Sequence, residues 1–292
     1  MPATALALVL CAALLHALWN LAAKKAGGNH HFVLASALAV SLLWAPLALA
    51  LGWQELGQWP PAAWAAALAS AIANLLYFNA LLAGYRASDL SIVYPVARGS
   101  APAISALVAV LLLDERLGVV GSLGLGAVVG GIVLIAAGPA LWRHSDDAQA
   151  RARRRLGLAW GALTGLLIAA YTVIDGYAVK VLLLSPLLLP WVSNVIRVPF
   201  AVPAVWRDRQ GFLPALRRQW PHLLVIACLA PLAYILVLYA MQLAPLSRVA
   251  PARELSMLVA ALLGGQLLKE GDRLVRLLGA ACIAGGVIAL TL

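Results

Sequence analysis

The sequence predicts an all-α, polytopic membrane protein whose ten transmembrane helices form a 5+5 inverted repeat. Three observations carry that expectation. Hydrophobic residues make up 64% of the 292 residues and charged residues only 11%, whereas a soluble domain carries about 25% charged residues to cover its surface. The apolar residues gather into ten runs, each near the length of about 20 residues that a helix needs to cross a hydrocarbon core. The second half of the chain also repeats the first at a fixed spacing, which marks a duplicated architecture.

The runs cover residues 3–23, 32–51, 62–85, 90–113, 118–141, 157–178, 186–206, 221–243, 247–268 and 275–292. They are continuous, rich in Leu, Ala and Val, and show no alternation. Only helices and closed barrels satisfy their backbones in lipid, and barrel strands alternate, so helices remain. The first run is read as an uncleaved span, because no basic residue lies between Met1 and Leu15 to serve as the charged start of a signal peptide. Connections are short. The longest are 142–156, with five arginines, and 207–220, with four. No soluble domain fits in any of them.

The net charge is +10 and the isoelectric point about 10.1. In a soluble protein this would point to nucleic acid. Here the basic residues sit in short loops without aromatic interleaving or a binding motif, so no nucleic-acid partner is expected. Loop basicity reads instead as a topology signal. Cys11, Cys228 and Cys282 each lie in an apolar run, where cysteine behaves as a small hydrophobe. Their spacing predicts neither disulfides nor a metal centre.

The repeat is clearest at an offset of 155. Residues 97–133 align without gaps on 252–288, with twelve of 37 positions identical. Ala97-Arg98 meets Ala252-Arg253, Glu115 meets Glu270, and Gly130-Gly131 meets Gly285-Gly286. A weaker match at an offset of 152 pairs Leu14, Leu15 and Trp19 with Leu166, Leu167 and Tyr171. Five spans per half force opposite orientations on the halves, an arrangement typical of secondary transporters. The expected units are residues 1–141 and 157–292, joined by a basic loop at 142–156.

The residues that follow resemble a known family. They are His16-Ala17-Leu18-Trp19-Asn20 in the first run, Tyr77-Phe78-Asn79-Ala80-Leu81 and Ala87-Ser88 in and after the third, and Pro95 in the fourth. Leu113-Asp114-Glu115-Arg116-Leu117 and the glycine pair of the fifth run follow, with Tyr239-Ala240, Pro251, Glu270 and Gly285-Gly286 as their echo. In this order and with this repeat, the whole chain resembles the EamA-type family of the drug/metabolite transporter superfamily. The resemblance implies a carrier of small organic solutes, amino acids and related metabolites among them, that needs no cofactor and no ATP. It also implies that the third and eighth spans help line the central path, which brings in Asn74, Tyr77, Asn79, Tyr234 and Gln242.

Ionisable groups deep in a span cost about 2.5–3.5 kcal/mol on insertion scales and face a cavity or a partner. The candidates are His16, Arg98, Asp175, Arg197, Arg253 and Glu254. Arg98 and Arg253 occupy equivalent repeat positions. Three readings stand for them: guanidinium groups facing one cavity, where they would grip a carboxylate or phosphate, side chains that snorkel to an interface, or an internal ion pair such as Arg98 with Glu254. Pro95, Pro102 and Pro251 free backbone carbonyls nearby. His16, Asn20 and Lys24 form a polar stripe at four-residue spacing, either lining a solute path or packing by hydrogen bonds. Asp175, four residues after Tyr171, is a proton-coupling carboxylate or the partner of an arginine. Arg197 is expected to snorkel to an interface. Glu115 and Glu270 are expected to stay hydrated at span ends, capping or pairing with Arg116 and Arg273. Gly124, Gly126, Gly130 and Gly131 look like a nucleotide fingerprint but lie within a span, where close helix packing explains them.

The expected partners are therefore a small-molecule solute and membrane lipid, with coupling to protons or a counter-solute. A membrane-embedded enzyme would need His, Asp or Glu clustered at one face, and the loop carboxylates are scattered. A non-transporting receptor is the other alternative. Fifteen Lys and Arg lie in loops on one side and three, Arg116, Lys180 and Arg248, on the other. Basic loops stay cytoplasmic, so both termini are expected outside the cytoplasm, although the family resemblance implies the reverse.

Overall fold

The computed structural model describes residues 1–26, 30–88, 90–137, 148–206, 208–256 and 273–292. Among these residues every element is helical: α1 (Ala3–Ala26), α2 (His30–Leu56), α3 (Pro61–Ala87), α4 (Leu90–Leu112), α5 (Gly118–Ala137), α6 (Ala148–Lys180), α7 (Leu188–Trp206), a single 3-10 turn at Arg209–Gly211, α8 (Phe212–Leu243), α9 (Leu246–Ala252) and α10 (Arg273–Thr291). Seven of them, α1 to α4 and α6 to α8, are long and apolar enough to cross a membrane, and α5 and α10 hold shorter apolar stretches, Gly118–Leu134 and Leu277–Thr291. Most of the ninth predicted span, with Glu270, lies outside the described residues.

The polarity of the bundle is inverted relative to a soluble domain. Leu42, Leu51, Leu111 and Val119 are at least 70% exposed, while Thr164, Thr172, Asp175, Arg253 and Glu254 are buried. That distribution suits a hydrocarbon surround, and the chain is an integral, multi-pass membrane protein.

Two helices run further than the apolar runs. Residues 148–156, expected in the basic connecting loop, are the first turns of α6. Ala, Gln and Arg are among the better helix formers, and nothing in Ala-Gln-Ala-Arg-Ala-Arg-Arg-Arg stops the helix once it leaves the lipid. Residues 212–220 likewise begin α8. Pro214 falls in its first turn, where a missing N–H goes unnoticed.

Helices of the two chain halves pack on each other. α1 lies on α8, α3 and α4 lie on α6, α2 lies on α7 and α8, and α5 lies on α10. Small residues set these distances, since helices in lipid gain from close backbone approach. A β-carbon at Gly161 or Gly165 of α6 would stand 2.9 Å from the carbonyl of Val93 or Ala97 on α4. Where α5 crosses α10, a β-carbon on Gly124 would stand 2.7 Å from the Gly286 carbonyl, and one on Gly131 would meet Gly279. Gly126, Gly130 and Gly285 face open space, so the packing explanation holds for part of that glycine set only. The Met1 amine donates to the Thr291 carbonyl at 2.6 Å, which places both termini at one end of the bundle, here called the terminal end. The other is the basic end.

Candidate functional site

Pro102 lies one turn after Arg98 on α4 and has no N–H to give the Arg98 carbonyl. Pro251 loosens α9 in the same way just before Arg253. The chain tightens there: the Glu254 N–H donates to the Pro251 carbonyl at 3.0 Å and the Ser256 N–H to the Arg253 carbonyl at 3.2 Å, both spanning three residues as in a 3-10 turn. Arg253 and Glu254 stand on this break.

The two repeat-equivalent arginines meet at one carboxylate. Arg98 Nη2 lies 2.7 Å from Glu254 Oε2, and Arg253 Nε lies 3.6 Å from Oε1. The Glu254 side chain is 1% exposed and that of Arg253 6%, against 22% for Arg98. The internal ion pair is thus formed, with both arginines sharing it. Burial strengthens the attraction and makes removal of either partner costly.

Groups from four further helices surround this centre. His16 on α1 is close enough to Arg98 and Arg253 to feel their charge. Its Nδ1 accepts from Trp19 Nε1 at 2.8 Å, which leaves the ring proton on Nε2, and Nε2 has no partner among the described residues. Tyr77 on α3, Tyr171 on α6 and Tyr234 on α8 form an aromatic chain, with ring centroids 5.8 and 6.2 Å apart. The Tyr234 hydroxyl donates to Asp175 Oδ2 at 2.5 Å, and Ser70 and Arg253 stand near that carboxylate.

Asn20 donates to the His16 carbonyl of its own helix at 2.6 Å. It lies on the face of α1 that buries Ala5, Val9, Ala12 and Ala13, yet it is itself exposed. Its exposure is therefore on the side of α1 that packs into the bundle. Asn79, grouped with the site in the sequence, is not brought to it. It shares the outward face of α3 with exposed Ile72 and Leu76 and bonds its own Leu75 carbonyl at 2.8 Å.

Two expectations are corrected. Arg197 does not snorkel. Its Nη2 donates to Asn194 Oδ1 at 2.6 Å and its Nη1 to Asn74 Oδ1 at 3.3 Å, at mid-helix between α3 and α7. Glu115 is half-buried and turns to other helices rather than to Arg116. It accepts from Lys180 Nζ on α6 and from the N–H groups of Leu246 and Ser247 on α9, each at 2.8 Å. Asp114 and Gly118, at φ 53° and 64°, turn the α4–α5 connection so that Glu115 reaches them. Burial raises the Glu115 carboxyl, but the bonds from Lys180, Ser247 and Leu246 outweigh it and hold it below the ordinary glutamate value. This tie joins α4, α6 and α9 at the terminal end.

His30, His31 and Asp208 bring possible metal-ligating atoms within 4.8 Å of one another at the basic end. His31 Nε2 already bonds the Asp208 carbonyl at 2.7 Å, so the group joins α2 to the α7–α8 connection.

The sequence pattern of the EamA-like transporter family matches residues 3–137 and again 155–292. No curated protein matches the chain. A solved protein crystal structure is similar in fold, with a TM-score of 0.76 over 100% of this chain and 97% of its own, at 14% identity.

Proposed function

The chain belongs to the EamA-like transporter family, and from that premise we propose that it is a secondary transporter working by alternating access. Its solute is a small organic metabolite, an amino acid or a related, anionic compound, moved across the inner membrane of a bacterium. Ten spans form two inverted five-helix halves, residues 1–141 and 157–292, with the polar centre between them. The observation that carries this reading is the meeting of Arg98, from the first matched segment, with Arg253 and Glu254 from the second. A site built from both halves, on two proline-loosened helices, is remade whenever the halves rock, as carriers with inverted repeats require.

Each group has a role in this scheme. Arg98, Arg253 and Glu254 tie the halves together around the solute, and Tyr77, Tyr171 and Tyr234 give it an amphipathic wall. His16 offers its free Nε2 proton, and Asn20 lies on the approach from the basic end. Asp175, paired with a tyrosine rather than an arginine, takes the coupling proton. Glu115 holds the terminal end shut while the basic end is open.

The test is a thermal-shift screen of the purified protein against a metabolite panel, followed by uptake of the labelled hits into proteoliposomes. Uptake above empty liposomes is expected for at least one hit. A hit that binds but never crosses would favour a receptor, and one that is chemically altered an enzyme.

A further inference from the structure

Three arginines lie at mid-span among the described residues, against two carboxylates. Arg98 and Arg253 share Glu254, and Asp175 accepts from Tyr234. Arg197 has no carboxylate partner among the described residues. Among the described residues its guanidinium donates to the carbonyl oxygens of Asn74 and Asn194, and its Nε is buried without a partner. A lone cation at that depth is expensive, and two neutral oxygens do not neutralise it.

The surroundings of Arg197 are built for it. The Asn194 amide donates to the Ala37 carbonyl and to Ser41 Oγ, both at 2.9 Å, so its oxygen has one direction left, toward Arg197. Asn74 comes from α3, one turn before Tyr77. Arg98 and Arg197 both lie within electrostatic reach of the Tyr77 hydroxyl. Arg197 is therefore a fixed, partly accessible cation on the edge of the tyrosine chain. It shares the neighbourhood of Tyr77 with Arg98 but is free of the Glu254 carboxylate.

We propose that Arg197, oriented by Asn74 and Asn194, is the subsite that binds the carboxylate of an anionic solute, and that the Glu254-paired arginines are not. This rests on the transport reading for its solute, but not for its measurement. A guanidinium presents a donor fork that a carboxylate fills in two parallel bonds. A carboxamide of the same shape brings no charge to balance the cation. The site thus selects acids over their amides.

Thermal shift on the purified full chain tests this without any flux. The probes are lactate, succinate and the amino acids, each beside its carboxamide. In the unmodified protein at least one acid should stabilise at concentrations tenfold or more below its amide. Arg197→Gln should melt, without probe, no lower than the unmodified protein, because it removes an unbalanced charge, and should lose the tenfold preference. Arg197→Lys, which keeps the charge but not the fork, should bind the acid several-fold more weakly and still prefer it. Two results would overturn the subsite: acids and amides stabilising the unmodified protein alike, or Arg197→Gln melting lower while keeping the acid preference, as a purely structural residue would. Acid binding that depends on Arg197, with no uptake into liposomes, would keep the subsite and remove the transport reading. Uptake with no acid preference would do the reverse.

Discussion

Glu254 balances two guanidinium groups from different chain halves, and the consequences of removing one partner follow from burial. Arg98→Ala leaves the carboxylate with Arg253 Nε alone, at 3.6 Å. Breaking a buried pair costs about 3–5 kcal/mol, so this variant should melt several degrees lower in detergent and lose uptake. An unchanged melting temperature would mean that the pair contributes nothing. Asp175→Asn keeps an oxygen for the Tyr234 hydroxyl but holds no titratable proton. Uptake driven by a pH gradient should disappear in this variant while solute exchange at equal pH persists. Loss of both, or of neither, would take the coupling role from Asp175. The repeat made Arg98 and Arg253 legible in the sequence, since matching arginines in two apolar runs are hard to place by composition alone. Arg197 was misread because a single arginine in a run carries no sign of which way it faces. Its partners, Asn74 and Asn194, lie 123 and 3 residues away. The outward position of Asn79 is legible in the sequence, because Ile72, Leu76 and Asn79 follow the spacing of one helix face and the first two are apolar.

Helix existence was readable from apolar runs, but helix ends were not. Hydropathy marks where lipid stops, whereas α6 and α8 continue through Arg-rich turns that water solvates well. The connection Leu113–Leu117 matters most at this scale. It carries Glu115 from α4 to the end of α6 and the start of α9, a contact between residues 65 and 131 apart that no local pattern announces. Glu115 has a lowered folded value, so its contribution is present above about pH 4.5, the ordinary glutamate value, and is lost as pH falls below that through the lowered value. Above that pH, Glu115→Gln should be less stable than the unmodified protein by about 1–2 kcal/mol, the worth of charge-assisted hydrogen bonds at a half-buried site. The gap should narrow as the pH is lowered progressively below 4.5. A gap that stays constant over that range would show that the ionised carboxylate is not what holds the tie.

The whole molecule repeats more of itself than spans four and nine show. The same offset of 155 also sets His16 against Tyr171, Asn20 against Asp175 and Lys25 against Lys180. This relation was hidden because two of the three pairs, His16 with Tyr171 and Asn20 with Asp175, differ in type, and the 152 offset matched leucines instead. Both termini lie at the end tied by Glu115, and the sequence assigns fifteen Lys and Arg to the other side, several of them in the helix ends of α1, α3, α6 and α8. The bias predicts that the basic end faces the cytoplasm. Alkaline phosphatase fused after Leu292 should then be active in cells, and a fluorescent protein at the same position dark; the opposite pair of results would invert the orientation. The proposed transport requires a single solute site, shared by the two halves and exposed to one side at a time. Trans-stimulated exchange in proteoliposomes tests it most directly. Efflux of a preloaded labelled solute should accelerate when the unlabelled solute is added outside, and Arg98→Ala should abolish the acceleration. Efflux that ignores the solute on the far side, or acceleration that survives Arg98→Ala, would contradict the account.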